Sequence, residues 1–275
     1  MKKKWIILGV GLAVVVSLLL VIKFKGLAAG SLMSPPSAES TGNFNGELKK
    51  AMGLEERGEL VKAKEAFENI MQSYASRPGI EDVQKRLEAI NMKIVLSAIE
   101  VPTQTASYMV NEGDSLAAIA KKFSTTIELI KKENGLSSDV IRPRVPLRIW
   151  TGTFSVLVDK SQNLLTLKSN GEIIRTYRVS TGKGNITPVG SFKIVNKLID
   201  PAWSHAGKVV PYGNPENILG TRWLGFDIPT YGLHGTTHPE SIGQQVTAGC
   251  VRMLNNDVEE LYDLLPLGTE VTIVD

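Results

Sequence analysis

His234-Gly-Thr-Thr-His-Pro-Glu-Ser-Ile-Gly-Gln-Gln-Val-Thr-Ala-Gly-Cys-Val-Arg-Met253 holds the single cysteine of the chain, Cys250, and two of its three histidines. A lone thiol forms no internal disulfide, so it reads as a nucleophile before it reads as a staple. Thiol chemistry needs a thiolate, a base, and donors for the oxyanion that develops on an attacked carbonyl. Cys250 offers the sulfur. Gly249 lets the backbone approach closely, so main-chain N–H groups near 249–250 can point at a carbonyl oxygen. His234 lies 16 residues upstream, an interval that lets a loop bring the two side chains together. Arg252, two residues on, can share a face with Cys250 and hold an anionic group. The bland alternative, a small buried cysteine, stays open on this evidence alone.

A metal reading competes. His234 and His238 have the i, i+4 spacing of zinc-binding helices. The glycine and threonines between them and the proline after them argue against a helix, and the glutamate base of that motif is missing. No metal and no cofactor is expected. His238 reads as a loop residue. His205, in Trp203-Ser-His205, reads as structural, or else as part of a cleft lining.

Around this segment the pattern is mostly β. Phe154–Val158 and Leu164–Leu167 are β-rich runs, and Asn170-Gly171 between strands predicts a type I′ hairpin turn. Ile173–Val179, Ser191–Ile199 and Gly268–Val274 predict further strands. One helix is predicted from about Asp257 to Leu265, capped by Asn256, with Glu259 in a capping-box arrangement and Pro266 as the stop.

His234-Gly235, Ser241-Ile-Gly243 and Thr247-Ala-Gly-Cys-Val-Arg-Met253 together resemble the signature of the L,D-transpeptidases of the YkuD family. Thr187-Pro-Val-Gly-Ser-Phe192 and Leu219-Gly-Thr-Arg-Trp-Leu-Gly225 also look like family segments. The resemblance implies that His234 takes the thiol proton with its ring oriented by the Gly235 carbonyl. It further implies that Cys250 attacks the third residue of a peptidoglycan stem tetrapeptide and expels D-alanine. A diamino acid of a second stem then resolves the thioester into a 3→3 cross-link. Arg252, Gly249, Thr247 and Ser241 fall in substrate-binding or oxyanion positions. The family commonly has histidine before Gly-Cys; here it is Ala248, so one auxiliary donor is missing. With water as acceptor the same residues give a carboxypeptidase. A catalytically silent wall-binding scaffold is the remaining alternative.

Upstream, residues 107–150 predict β-α-α-β: a strand at 108–110, a turn at Gly113-Asp114, and a helix from Leu116 capped by Asp114 or Ser115. A second helix runs from about Thr125 to Asn134-Gly135, and a strand follows at Leu147–Ile149. Tyr108-x-Val-x-x-Gly-Asp-Ser-Leu-x-x-Ile-Ala-x-x-Phe123, then Asn134-x-Leu136, resembles a LysM module, which implies binding of N-acetylglucosamine-containing glycan strands such as peptidoglycan. Arg144-Val145 stands where that family usually has glycine.

Residues 45–99 carry apolar positions at helical spacing: Leu60, Ala63, Phe67, Ile70 and Tyr74, then Val83, Leu87, Ile90 and Ile94. Arg77-Pro78-Gly79 breaks them. The segment reads as a helical hairpin, a spacer with part of one tetratricopeptide-like repeat, or as a docking surface for a protein partner.

Met1-Lys-Lys-Lys-Trp5 precedes 17 uncharged residues, Ile6–Ile22, and Lys23 and Lys25 close the run. This reads as a membrane-spanning helix, with a cleaved signal peptide as the alternative. Three lysines before the run against two after it favour an exported body. The net charge of +3 is too small, and its lysines and arginines too dispersed, for nucleic acid.

The expected architecture is therefore multi-domain α+β. It comprises a membrane anchor (1–25), a linker (26–43), a helical spacer (44–100), a βααβ LysM-like module (107–150) and a mostly-β YkuD-like catalytic domain (153–275). The expected location is the cytoplasmic membrane, with the domains facing the cell wall.

Overall fold

The computed structural model describes residues 43–205 and 207–275. The anchor at 1–25 and nearly all of the linker lie outside the described residues; among those described, no helix is long and apolar enough to cross a membrane. The chain divides into two compact units between Ile90 and Asn91.

The first unit is built from α1 (Phe44–Glu56), α2 (Leu60–Ser73) and the start of α3 (Ile80–Val95). Three helices replace the expected hairpin. The additional one, α1, starts at Asn43, whose side chain accepts from the Gly46 N–H at 2.9 Å. Gly58 and Gly79, both at positive φ, mark the two breaks. The predicted stripe of Ala63, Phe67 and Ile70 is buried with Ala51, Val83 and Ile90. Tyr74 closes this core, meeting the Phe44 ring edge-on and donating to Glu47.

In the second unit, residues 105–150 fold as β1 (Thr105–Met109), α4 (Leu116–Phe123), α5 (Ile127–Glu133) and β2 (Pro146–Trp150), with the strands antiparallel. The order is the predicted βααβ. Ser115 is the cap of α4, accepting from Ala118 N–H, and Thr126 caps α5 through Leu129 N–H. Asp114 instead holds the turn before α4, accepting from Asn111 N–H and the Tyr108 hydroxyl. Val110, Leu116, Ile119, Ile130, Leu147 and Ile149 form the small core. Arg144 sits at φ +66°, so the conformation that glycine ordinarily supplies is kept by a residue that adopts it at a cost.

The rest of the unit is dominated by an eight-stranded sheet. Its order is β13 (Val251–Arg252), β11 (Gly232–His234), β10 (Arg222–Phe226), β7 (Gly190–Ile199), β14 (Glu270–Val274), β3 (Phe154–Asp159), β4 (Leu164–Ser169), β5 (Glu172–Arg178). Two pairs are parallel, β3 with β14 and β11 with β13; the others are antiparallel. Short strands β6 (Thr181–Gly182) and β12 (Gln245–Thr247) pair beside the sheet, and β8 (Trp203–His205) pairs with β9 (Lys208–Val210). Alternation explains the buried face: Phe154, Val156 and Val158 of β3 point inward, as do Leu165 and Leu167 of β4. Asn170 and Gly171 both take positive φ, as the hairpin requires.

Helix α6 (Asn255–Leu264) begins two residues before the predicted start. Its cap residue is Leu254, which offers no side-chain acceptor, so the expected Asn256 cap and capping box with Glu259 are absent. The reason is tertiary: the Asn255 side chain instead accepts from the Thr221 and Thr236 N–H groups, just outside β10 and β11. Pro266 follows the helix end at Leu265, as expected.

The βααβ module is tied to this sheet domain. Lys132 pairs with Asp263 of α6 at 2.6 Å, the Thr126 hydroxyl donates to the Asp263 carbonyl, and Trp150 Nε1 donates to Ser169 Oγ at 3.2 Å. Beneath it, Arg148 pairs with Glu133 at 2.5 Å and donates to the carbonyls of Ile94, Val95 and Ile99.

Candidate active site

The edge of the large sheet brings the predicted residues together. Strand β13 runs parallel to β11, with Leu233 opposite Val251 and His234 opposite Arg252. Ladder partners share a face, and so do residues two apart on one strand. Leu233 and Val251 enter the core, fully buried. His234 and Arg252 therefore share the other face, and Cys250 sits in the bend that leads into β13, two residues before Arg252.

His234 is fixed from several sides. Its Nδ1 lies 2.6 Å from the Gly235 carbonyl, and its ring stacks on Trp223 at 6.1 Å. A carbonyl only accepts, so Nδ1 carries the proton and Nε2 is left as the basic nitrogen. Burial drives the imidazole down to about 4, and the Arg252 charge adds to that; the backbone at Gly235 and Leu219 pulls the other way. The ring is neutral at neutral pH, the state in which it can accept a proton.

Cys250 is half-buried. Its thiol donates to the Thr230 carbonyl at 3.2 Å. Burial raises the thiol's pKa, while the backbone at Gly232 and the Arg252 charge lower it. Among the described residues no hydrogen bond joins Cys250 to His234. The neighbour they have in common is Arg252, whose charge bears on both side chains.

The turn before Cys250 is held internally. Thr247 Oγ1 donates to the Cys250 carbonyl at 2.7 Å and accepts from the Gly249 N–H at 3.2 Å. Both Thr247 and the Gly249 N–H are thus used to shape the turn. Gly249 has φ +120°, and a Cβ there would meet the Tyr231 ring at 2.7 Å, so both backbone and space demand glycine. Ala248 is exposed at the turn's tip.

Arg252 is buried, yet among the described residues no carboxylate pairs with it. Its Nη1 donates to Ser241 Oγ at 3.0 Å, and its Nε is buried without an acceptor. Ser241 in turn donates to the His238 carbonyl, so it steadies the guanidinium. His238 is largely exposed beside Glu240 at the start of a short 3-10 turn, Pro239–Ser241. His234 ends a strand, so the two histidines share no helix face.

Sequence reading missed Thr230, Trp223 and Asn255. Thr230 has φ +70°, unusual for a β-branched residue, and no local signal announces it. Trp223 reaches His234 through the antiparallel register of β10 and β11.

The L,D-transpeptidase catalytic domain (YkuD) family matches residues 153–273, and the LysM domain family matches residues 108–150. A putative L,D-transpeptidase YkuD of Bacillus subtilis (strain 168) is 34% identical over 175 residues, which are 61% of this chain and 98% of that protein. The chain belongs to the L,D-transpeptidase family. A putative L,D-transpeptidase YqjB of the same organism is 39% identical over 126 residues, 44% of this chain and 70% of that one. Among solved structures, an L,D-transpeptidase from Mycobacterium smegmatis aligns at a TM-score of 0.40 and 19% identity, covering 48% of this chain and 63% of that chain. The catalytic domain of this L,D-transpeptidase is an acyltransferase domain, and its LysM module occupies the segment read as one from sequence.

Proposed function

We propose that the protein forms 3→3 cross-links in peptidoglycan through a thioester on Cys250. The observation that carries this reading is the parallel register that sets His234 opposite Arg252, with Cys250 in the bend that enters the same strand. Rotation of the Cys250 side chain away from Thr230 brings the sulfur toward the imidazole, and His234 Nε2 takes its proton. The thiolate attacks the carbonyl of the third residue of a tetrapeptide stem. The Cys250 N–H serves as oxyanion donor, since the Gly249 N–H is already bonded to Thr247. Collapse of the tetrahedral intermediate breaks the bond to D-alanine, which leaves as the amine with the proton from His234. The side-chain amine of a second stem then attacks the thioester, loses its proton to His234, and releases the thiolate.

Arg252 supplies the charge for substrate. A guanidinium this buried, with no carboxylate partner among the described residues, suits a substrate carboxylate. The LysM module holds glycan strands, and the apolar run at 6–22 anchors the chain so that the enzyme faces the wall.

The deciding experiment incubates the protein with defined disaccharide-tetrapeptides and identifies products by mass. Cross-linked dimers with free D-alanine support the transferase. Tripeptides alone would make it a carboxypeptidase, and unchanged substrate would leave a scaffold.

A further inference from the structure

Two glycines next to the site leave a slot that one side chain fills. Gly220 follows Leu219, and Gly235 follows His234. A Cβ on either glycine would land on Oδ1 of Asn255, the first residue of α6. That oxygen accepts from the Thr236 N–H at 2.8 Å and from the Thr221 N–H at 3.4 Å. Gly220 also presses on the Gly235 backbone: its added Cβ would lie 2.6 Å from the Gly235 carbonyl carbon. Asn255 thus clamps the two backbone segments that bear on the imidazole. One carries the Gly235 carbonyl bonded to Nδ1; the other carries Leu219.

The clamp is made at a cost to its own helix. Asn is a favoured cap residue, but here the cap position is Leu254, and the asparagine oxygen is spent on the Thr221 and Thr236 N–H groups. A helix gains nothing from that arrangement. A site whose base must hold one tautomer in one orientation gains a fixed carbonyl.

We infer that Asn255 is a positioning residue, which fixes the ring orientation and Nδ1–H tautomer of His234 by bridging the backbone at Thr221 and Thr236. The inference rests on His234 being the base proposed above. It concerns the ring itself, so it can be tested without turnover. The charged group that bears on the ring is Arg252 on the neighbouring strand; β10 presents Trp223, and α6 presents the neutral Asn255.

The test compares the full chain with its Asn255→Ala and Asn255→Asp variants. Imidazole nitrogen resonances of His234 are followed against pH, beside kcat, KM and thermal unfolding. Asn255→Ala removes the acceptor: the single Nδ1–H tautomer should give way to a mixture, and kcat should fall roughly tenfold or more while KM holds within about threefold. Asn255→Asp keeps the acceptor and adds a negative charge near the ring. It should retain the tautomer and most of kcat, and shift the His234 titration to higher pH. A merely structural brace predicts lowered unfolding temperatures with wild-type resonances in both variants, and that result overturns the inference. If Asn255→Ala does not fold, an unshifted His234 titration in Asn255→Asp overturns it alone. Failure of the wild type to act on stems would sink the proposed function and leave the resonance result standing.

Discussion

The Cys250 thiol donates to the carbonyl of Thr230, a residue held at φ +70°. The carbonyl reaches the sulfur because the loop from β10 to β11 turns back through this left-handed residue. The thiol's hydrogen bond is therefore to a loop carbonyl, and in the proposed reaction the side chain rotates from it toward His234. A left-handed β-branched residue costs on the order of 1–2 kcal/mol, and such strain is commonly found at functional sites.

With one cysteine in the chain, acylation can be located without ambiguity. A carbapenem should add covalently to the wild type, with its ring-opened mass retained on Cys250, and should leave Cys250→Ala unmodified. The same variant should lose turnover on tetrapeptide stems altogether. An adduct of equal yield on Cys250→Ala would falsify the nucleophile.

The buried imidazole makes stability depend on pH. His234 titrates near 4 in the folded protein, against about 6.5 in an unfolded chain. Between these values the unfolded chain binds a proton that the native state refuses. The contribution is fully present above about pH 6.5 and is lost as pH falls toward 4, by at most about 3 kcal/mol. Denaturant midpoints measured across this window should slope less steeply in His234→Gln. Parallel slopes for the two proteins would remove the ring from the account.

Arg144 holds a left-handed turn whose hydrogen bond, Arg144 N–H to the Val110 carbonyl at 2.8 Å, belongs to the backbone. Arg144→Gly keeps that bond and relieves the Cβ conflict. It should stabilise the chain by up to about 1 kcal/mol, the left-handed penalty less the extra entropy of glycine. The check is chemical denaturation, and a loss of stability would contradict the backbone argument.

Glu133 and Arg148 are a buried pair, with side chains 0% and 6% exposed. Glu133→Gln should cost about 3 kcal/mol by leaving the guanidinium without its counter-charge. Arg148→Met should cost more, because the carbonyls of Ile94, Val95 and Ile99 lose their donor as well. Unfolding free energies ranked in the opposite order would show that those three bonds contribute little.

Legibility varied with the range of the interactions. The βααβ order of residues 105–150 was readable because its caps and turns are local: Ser115, Thr126 and Gly135 act within a few residues of where they stand. The hairpin at Asn170-Gly171 was readable for the same reason. The helix near the C-terminus is legible in kind but not in its cap, because Asn255 is drawn to Thr221 and Thr236, which lie far away in sequence. The first helix, Phe44–Glu56, escaped the hairpin reading because its buried face is small; Ala51 is its one fully covered residue.

Residue identities alone singled out the candidate groups: a single sulfur, an imidazole followed by glycine, and an arginine two positions past the sulfur. They did so because reactivity belongs to functional groups, and short spacing constrains which of those can meet. Tertiary structure decided the surroundings of those groups. The parallel register of β11 and β13 aligns His234 with Arg252, burial empties the imidazole of its proton, and the Thr230 carbonyl accepts from the thiol. Each of these depends on desolvation and on contacts between strands distant in the chain, which no local pattern of residues encodes.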